Sequence, residues 1–157
     1  MIRFIAAIDS KQGIANDHGI PWQGKIPGDI ANYRKKIITG AVLMGYVVYK
    51  ELAEPYPGGV NYVANLEKVD LREGFEPILD ARKFLTEFDG DIWNIGGAGL
   101  FASTLDLADE LHLTQIDQDF NCTKFFPEFK DKFVLKSESR PVTENGITYT
   151  FQVWTRK

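Results

Sequence analysis

Three stretches of the chain carry residues whose types and spacing could do chemistry. The first is Gly97-Ala98-Gly99-Leu100-Phe101-Ala102, a G-x-G-x-x-A pattern that follows the apolar run Ile92-Trp93-Asn94-Ile95. Glycines between a strand and a helix let backbone N–H groups approach a pyrophosphate, whose charge the helix start favours. Asp117 follows about 20 residues later, where a dinucleotide fold puts the carboxylate that meets a ribose. Such a fold usually begins with this unit, however, and here it falls late in the chain. The pattern reads as a phosphate cradle or as a plain tight turn. The second stretch is Pro27-Gly28-Asp29, a carboxylate in the first turn of a helix. Acidic residues there ordinarily serve the helix dipole and the free N–H groups. Asp29 would do more only if it pointed into a pocket, where it could accept two hydrogen bonds from an amidine-like N–H pair. The third is Pro21-Trp22, a core anchor or part of a lid, whose indole N–H wants a partner if buried. Thr114 reads as a β-former, His18 as a solvated loop residue, and Trp93 and Phe126 as core.

The elements that must position these groups follow from hydrophobic patterning. Ile2 to Ile8 is a near-continuous apolar run, as expected of a strand covered on both faces. Residues 9–28 hold Gly13, Gly19, Gly24 and Gly28 with Pro21 and Pro27, a long loop of the kind that is usually functional. A helix is expected over 28–39, a strand over 41–45 followed by a short helical stretch through Leu52, a strand over 60–64, and a polar irregular stretch over 65–78. A helix over 80–88, a strand over 92–95, a helix over 100–107 and a strand over 110–116 come next. The C-terminus reads as a hairpin of 133–138 and 147–155 around Asn145-Gly146. Strands alternating with helices imply one α/β domain over 1–157. Its central sheet should be mainly parallel, with an antiparallel C-terminal hairpin strand and about four flanking helices.

Composition narrows the function classes. The 157 residues are 44% hydrophobic and 25% charged, enough for a core without staples. A net charge of −4 without a basic block disfavours nucleic acid. Cys122 is alone and the two histidines are far apart, so no metal motif is visible. No apolar run reaches the roughly 18 residues of a membrane span, and the start Met1-Ile2-Arg3-Phe4 carries no secretory pattern. A small cytoplasmic protein acting on a small molecule is the expectation.

Taken in order, the segments resemble dihydrofolate reductase over nearly the whole chain. The resemblance rests on Ile5-Ala6-Ala7, Gly13-Ile14-Ala15-Asn16, Ile20-Pro21-Trp22, Pro27-Gly28-Asp29 and Val42-Leu43-Met44-Gly45. It continues through Pro55-Tyr56-Pro57-Gly58, Ile95-Gly96-Gly97, Leu113-Thr114-Gln115-Ile116-Asp117 and Phe125-Phe126-Pro127. It implies reduction of dihydrofolate by a nicotinamide cofactor, with hydride going to pterin C6 and a proton to N5. Asp29 would hold the pterin's 2-amino and N3 edge, joined to Thr114, and Trp22 and Ile20 would belong to the lid. Ile5, Ala6, Ala7, Ile30, Tyr33, Leu52 and Ile95 would border the substrate, with Arg34, Lys35 or Lys36 covering its tail. The cofactor would meet Ala7, Ile14, Asn16, Gly19, Gly45, Tyr46, Val47, Val48, Asn65 and Leu66. It would also meet the turn of Gly96, Gly97, Ala98, Gly99, Leu100 and Phe101, where a cis Gly96-Gly97 bond is expected. No metal is implied, and a monomer is expected.

The chain departs from the family at its positive charges. Tyr46 and Gly99 stand where basic residues usually contact cofactor phosphate, and Asn65-Leu66 replace a Ser/Thr-rich strand end. NADPH is the expected cofactor, and NADH becomes possible, unless Lys68 or Arg72 substitutes. Gly59 stands where an Arg usually binds the folate carboxylate. Two extra residues around Gly24-Lys25 lengthen the loop before Asp29. Besides dihydrofolate reduction, a reductase of a related pterin or pyrimidine without the tail is open, as is a non-catalytic pterin- or nucleotide-binding protein.

Overall fold

The computed structural model describes residues 1–157. In chain order it runs β1 (Ile2–Ile8), β2 (Gly13–Ala15), α1 (Pro27–Ile37), β3 (Ala41–Gly45) and α2 (Tyr46–Glu51). Next come β4 (Asn61–Ala64), β5 (Phe75–Ile78), α3 (Ala81–Glu87), β6 (Ile92–Asn94) and α4 (Ala98–Thr104). The chain closes with β7 (Glu110–Ile116), β8 (Lys124–Phe125), β9 (Phe133–Glu138), β10 (Val142–Glu144) and β11 (Ile147–Arg156). Nine strands form one sheet in the order β10-β11-β7-β1-β6-β3-β4-β5, with β9 also on β11. The six strands from β5 to β7 are mutually parallel, and β11 joins β7 antiparallel. No helix is long and apolar enough to cross a membrane.

The apolar runs are explained by a sheet covered on both faces. Along β1, Phe4 and Ile8 enter a cluster with Phe101, Leu111, Phe126 and Phe133, while Ile5 enters another with Ile37, Met44 and Trp93. The first cluster includes α4 and the second includes α1, so α1 and α4 cover opposite faces. Trp93 and Phe126 are core, as their types suggest, and His18 is exposed.

Four sequence expectations are corrected. The stretch 65–78 ends in a strand, β5, which Glu76 and Pro77 disguise. Pro77 is tolerated because β5 is the sheet's edge, where one side of the strand needs no N–H donor. The loop 9–28 contains β2, which pairs with β8, and a tight turn closed by Asn16 and Gly19. The helix expected over 100–107 starts at Ala98 and finishes as a 3-10 turn, Leu105–Leu107. The C-terminal hairpin has a third strand: β10 pairs β11 across Asn145 and Gly146, whose φ values are 51° and 76°. Both left-handed residues are what a two-residue hairpin turn requires.

The base of the long loop is held by Asp9, 1% exposed. Its carboxylate accepts from the N–H groups of Lys11 (2.9 Å), Gly13 (2.8 Å) and Phe120 (3.0 Å). Thr123 N–H to Ala15 O (3.0 Å) and Phe126 N–H to Gln12 O (2.8 Å) extend the seam. Asp9→Ala should cost about 2–4 kcal/mol, because three donors lose a charged acceptor. A lowered denaturant midpoint with an unchanged m-value checks this; an unchanged midpoint contradicts it.

Candidate active site

The carboxylate end of the site is built where α1 crosses β7. Parallel pairing puts Thr114 beside Ala7, on the face that α1 covers. Asp29, 8% exposed, accepts from the Thr114 hydroxyl at 2.5 Å on Oδ1. No other protein group donates to this carboxylate, which leaves Oδ2 able to accept from a ligand. Asp29 therefore does not cap its own helix. That task falls to Glu144 on β10, whose carboxylate accepts from Gly28 N–H at 3.0 Å and from the Tyr149 hydroxyl. Gly28 is required here: a Cβ would lie 2.5 Å from Tyr149 Oη. Burial raises the Asp29 carboxyl above its usual range, the Thr114 hydrogen bond opposes that, Glu144 adds to it and Lys36 opposes it.

Apolar side chains occupy the face of the sheet that α1 covers. Ile5, Tyr33, Leu52 and Ile95 share one cluster, with Tyr33 edge-on to Tyr56 at 5.8 Å. Ile30 and Ile20 are 40% and 45% exposed, as expected of side chains bordering an open cleft. Ala7 packs with the cluster of Trp22, Ile26 and Tyr149. Trp22 is buried edge-on against Phe120 at 5.2 Å, but no protein acceptor takes its indole N–H, so packing alone organises it. Ala6 is a correction: its side chain lies with Phe4 and Ile8 on the opposite face, so only its backbone could border a substrate.

The second half of the cleft lies at the carboxyl ends of β3 and β6, which are neighbours in the sheet. Gly45 N–H donates to Gly96 O at 2.7 Å, and the Gly96-Gly97 peptide is cis. Asn94 fixes the turn, accepting from Gly96 N–H at 3.0 Å and donating to Thr104 at 3.1 Å. α2 begins at Tyr46 and α4 at Ala98, and neither start has a side-chain cap. Nothing lies within 4 Å of where a Cβ would sit on Gly97 or Gly99. Free N–H groups and open space at two helix starts fit a pyrophosphate. Tyr46, Val47, Val48, Ala98 and Gly99 belong to those helix starts.

Three of the residues expected at the cofactor, Phe101, Leu100 and Ile14, pack their side chains on core clusters. Phe101 is core, its ring tilted against Phe4 at 5.5 Å, and Leu100 packs with the Leu43, Leu85 and Ile92 cluster. Ile14 packs on the Phe4 cluster, and Asn16 and Gly19 bond to each other. Asn65 donates to Glu67 O at 3.1 Å, and Leu66 is 94% exposed. Arg72 is no substitute phosphate ligand: it bonds the Tyr49 hydroxyl (3.2 Å) and carbonyl (2.8 Å) and covers the Tyr49 ring. Of the three basic residues considered for the tail, Lys36 turns inward to His112 Nδ1 at 2.9 Å. Lys35 lines the same open pocket as Lys36 and His112, together with Arg3 and Asp91, which leaves Arg34. Glu144, Asn94 and the Lys36–His112 pair had no local signal, because each acts on a partner distant in sequence or through packing.

The buried carboxylate bonded to β7 and the open glycine turn after β6 belong to strands that flank β1, an arrangement that suits a one-domain oxidoreductase with two ligands, one of them a nicotinamide cofactor. The family model described as dihydrofolate reductase matches residues 1–156, and the chain belongs to that family. It is 29% identical to the dihydrofolate reductase of Bacillus subtilis (strain 168), covering 100% of this chain and 95% of that protein. Against the dihydrofolate reductase of Haemophilus influenzae it is 33% identical, over 98% and 97% of the two chains. A solved dihydrofolate reductase from Enterococcus faecalis, complexed with NADP(H) and RAB-propyl, superimposes with a TM-score of 0.87 at 21% identity. That match covers 100% of this chain and 96% of the other.

The burial of Asp29 has a consequence for stability. The unfolded carboxyl ionises near 3.8 and the folded one higher, so in that window the folded state holds the extra proton. Stability therefore falls as pH rises through the window, and near neutral pH the fold carries a buried charge. Asp29→Asn keeps an acceptor for Thr114 and should raise Tm near neutral pH by a few degrees. The gain should shrink as pH falls toward 3.8. A Tm unchanged or lowered near neutral pH contradicts this.

Proposed function

We infer that the protein reduces dihydrofolate to tetrahydrofolate, with Asp29 as the group that grips the pterin. The Asp29–Thr114 pair supports this reading: one oxygen of the buried carboxylate is held by Thr114 and the other has no protein donor. Asp29 accepts from the 2-amino group and N3–H of the pterin, a planar pair of donors matched to a carboxylate. Its negative charge orients the ring and favours the protonated, electron-poor pterin, lowering the barrier electrostatically. Thr114 holds Asp29 in that orientation. Ile5, Ile30, Tyr33, Leu52 and Ile95 wall the ring, and Ile20 and Trp22 on the lid exclude water. When bound, the reduced nicotinamide supplies the hydride that C6 receives. Backbone N–H groups at Tyr46–Val48 and Ala98–Leu100 hold its pyrophosphate, with Gly45, Gly96 and Gly97 providing the close approach. The protein works as a cytoplasmic monomer without nucleic acid or membrane.

Two features support a tolerant cofactor site and a weak grip on the folate tail. Arg72 is committed to Tyr49, and Arg82 is paired with Asp106 at 2.6 Å, so neither guanidinium is free for phosphate. NADPH is then preferred over NADH only weakly, through Lys68 or backbone contacts. At the tail, a Cβ on Gly59 would lie 2.5 Å from Gly40 O, so the backbone fills the space a longer side chain would need. Arg34 is the remaining cation for the tail carboxylate, and a tail-less dihydropterin is the second substrate to consider.

Oxidation of NADPH and NADH with dihydrofolate and with a tail-less dihydropterin tests these points together. Turnover of dihydrofolate is expected, with the two cofactors within about tenfold in kcat/KM, since no bidentate Arg–phosphate pair separates them. No turnover of either pterin contradicts the proposed reaction. A preference for NADPH far beyond that contradicts the reading of the phosphate site.

A further inference from the structure

The groups around Asp29 form two arms of opposite charge that the reaction scheme does not use. On one side the β10–β11 hairpin reaches the start of α1. Glu144 takes Gly28 N–H and the Tyr149 hydroxyl, and Asn145 Nδ2 donates to Lys25 O at 2.6 Å. Lys25, in the lengthened loop before Asp29, is thus tied to the hairpin turn. On the other side, Lys36 follows Asp29 by two helical turns and faces the same strand. Its Nζ donates to His112 Nδ1, and His112 Nε2 lies 3.0 Å from Glu110 Oε1. That pattern assigns a neutral imidazole with its proton on Nε2. Asp29–Thr114 and Lys36–His112 are therefore two polar rungs between α1 and β7, and Glu144 pins the end of the helix.

We propose that Glu144 and Lys36 are positioning residues for the reaction, which fix α1 along β7 and oppose each other in setting the ionisation of Asp29. This rests on the reading of Asp29 as the pterin's partner. Glu144 places a negative charge against the first turn of α1, next to Asp29, and disfavours a second one there. Lys36 places a positive charge on the buried side of the same helix and favours it. The directions of their effects on Asp29 agree with this geometry. The other groups facing Asp29 are Tyr33 on its own helix, Thr114 on β7 and Tyr149 on β11. Burial raises both phenols, so they remain neutral. Glu110, beyond His112, is tied to Arg3 at 3.1 Å, and Arg3 also meets Asp91 at 3.3 Å. β1 presents only Ile5 and Ala7 near Asp29, so the two arms are the charges that can tune it.

The pH profile of single-turnover reduction separates this role from a structural one. Glu144→Gln keeps an acceptor for Gly28 and Tyr149 while removing the charge, so the profile's midpoint should move down by about half a pH unit. Lys36→Gln keeps a donor for His112 and should move it up by about the same amount. Opposite shifts, with each variant folded by its Tm, support the proposal. Midpoints that stay put, or move together, overturn it, even if Tm falls. If Glu144→Gln does not fold, the upward shift in Lys36→Gln decides alone. Asp29→Asn in the same series should lose the titration. A normal profile there overturns the reading of Asp29 itself, whereas its loss beside unmoved Glu144→Gln and Lys36→Gln midpoints overturns only the two arms.

Discussion

The hydrogen bond from the Thr114 hydroxyl to Asp29, at 2.5 Å, ties α1 to β7 at the carboxylate itself. A carboxylate in apolar surroundings is costly unless something holds it, and here one side chain does. The bond exists because β7 pairs with β1 in a register that sets Thr114 beside Ala7 under α1. It also dictates how closely α1 must approach β11. Gly28 has no room for a side chain against Tyr149, and the helix start is satisfied by Glu144 rather than by its own residues. The carboxylate is thereby released from capping and left one oxygen to offer.

The other half of the cleft follows a different economy, in which backbone replaces charge. Asn94, buried between α4 and the sheet, fixes the glycine turn by one hydrogen bond and reaches Thr104 by another. Two helices start side by side without side-chain caps, and the arginines nearby are bound to Tyr49 or Asp106. The net charge of −4 is thus reflected at the site: Arg72 and Arg82 are already paired, and few cations remain to grip phosphate or a folate tail.

The sequence made β1, β7 and α1 legible, since their apolar patterns are set by the faces they cover. The glycine turn and the carboxylate were visible as types at a spacing. The role of Asp29 was not, because an acidic residue in a first helical turn looks the same whether it caps or binds. What frees Asp29 from capping is Glu144, 116 residues from Gly28, which takes the Gly28 N–H instead. The strand β5 was hidden by Pro77, which an edge position permits. Phe101 and Leu100 fitted a phosphate motif by position, yet helix geometry turns their side chains into the core. Lys36 counted as one of three surface cations until its helix face met His112. Periodicity shows which face is buried, but not which polar partner waits beneath it.

One carboxylate, Asp29, is what we propose makes this a reductase site. The most direct test is the rate of a single turnover of dihydrofolate by Asp29→Asn, with cofactor binding measured alongside. A loss of about a hundredfold or more, with cofactor affinity retained, is expected if the charge acts on the pterin in the transition state. A rate within a few-fold of the unaltered protein contradicts the account.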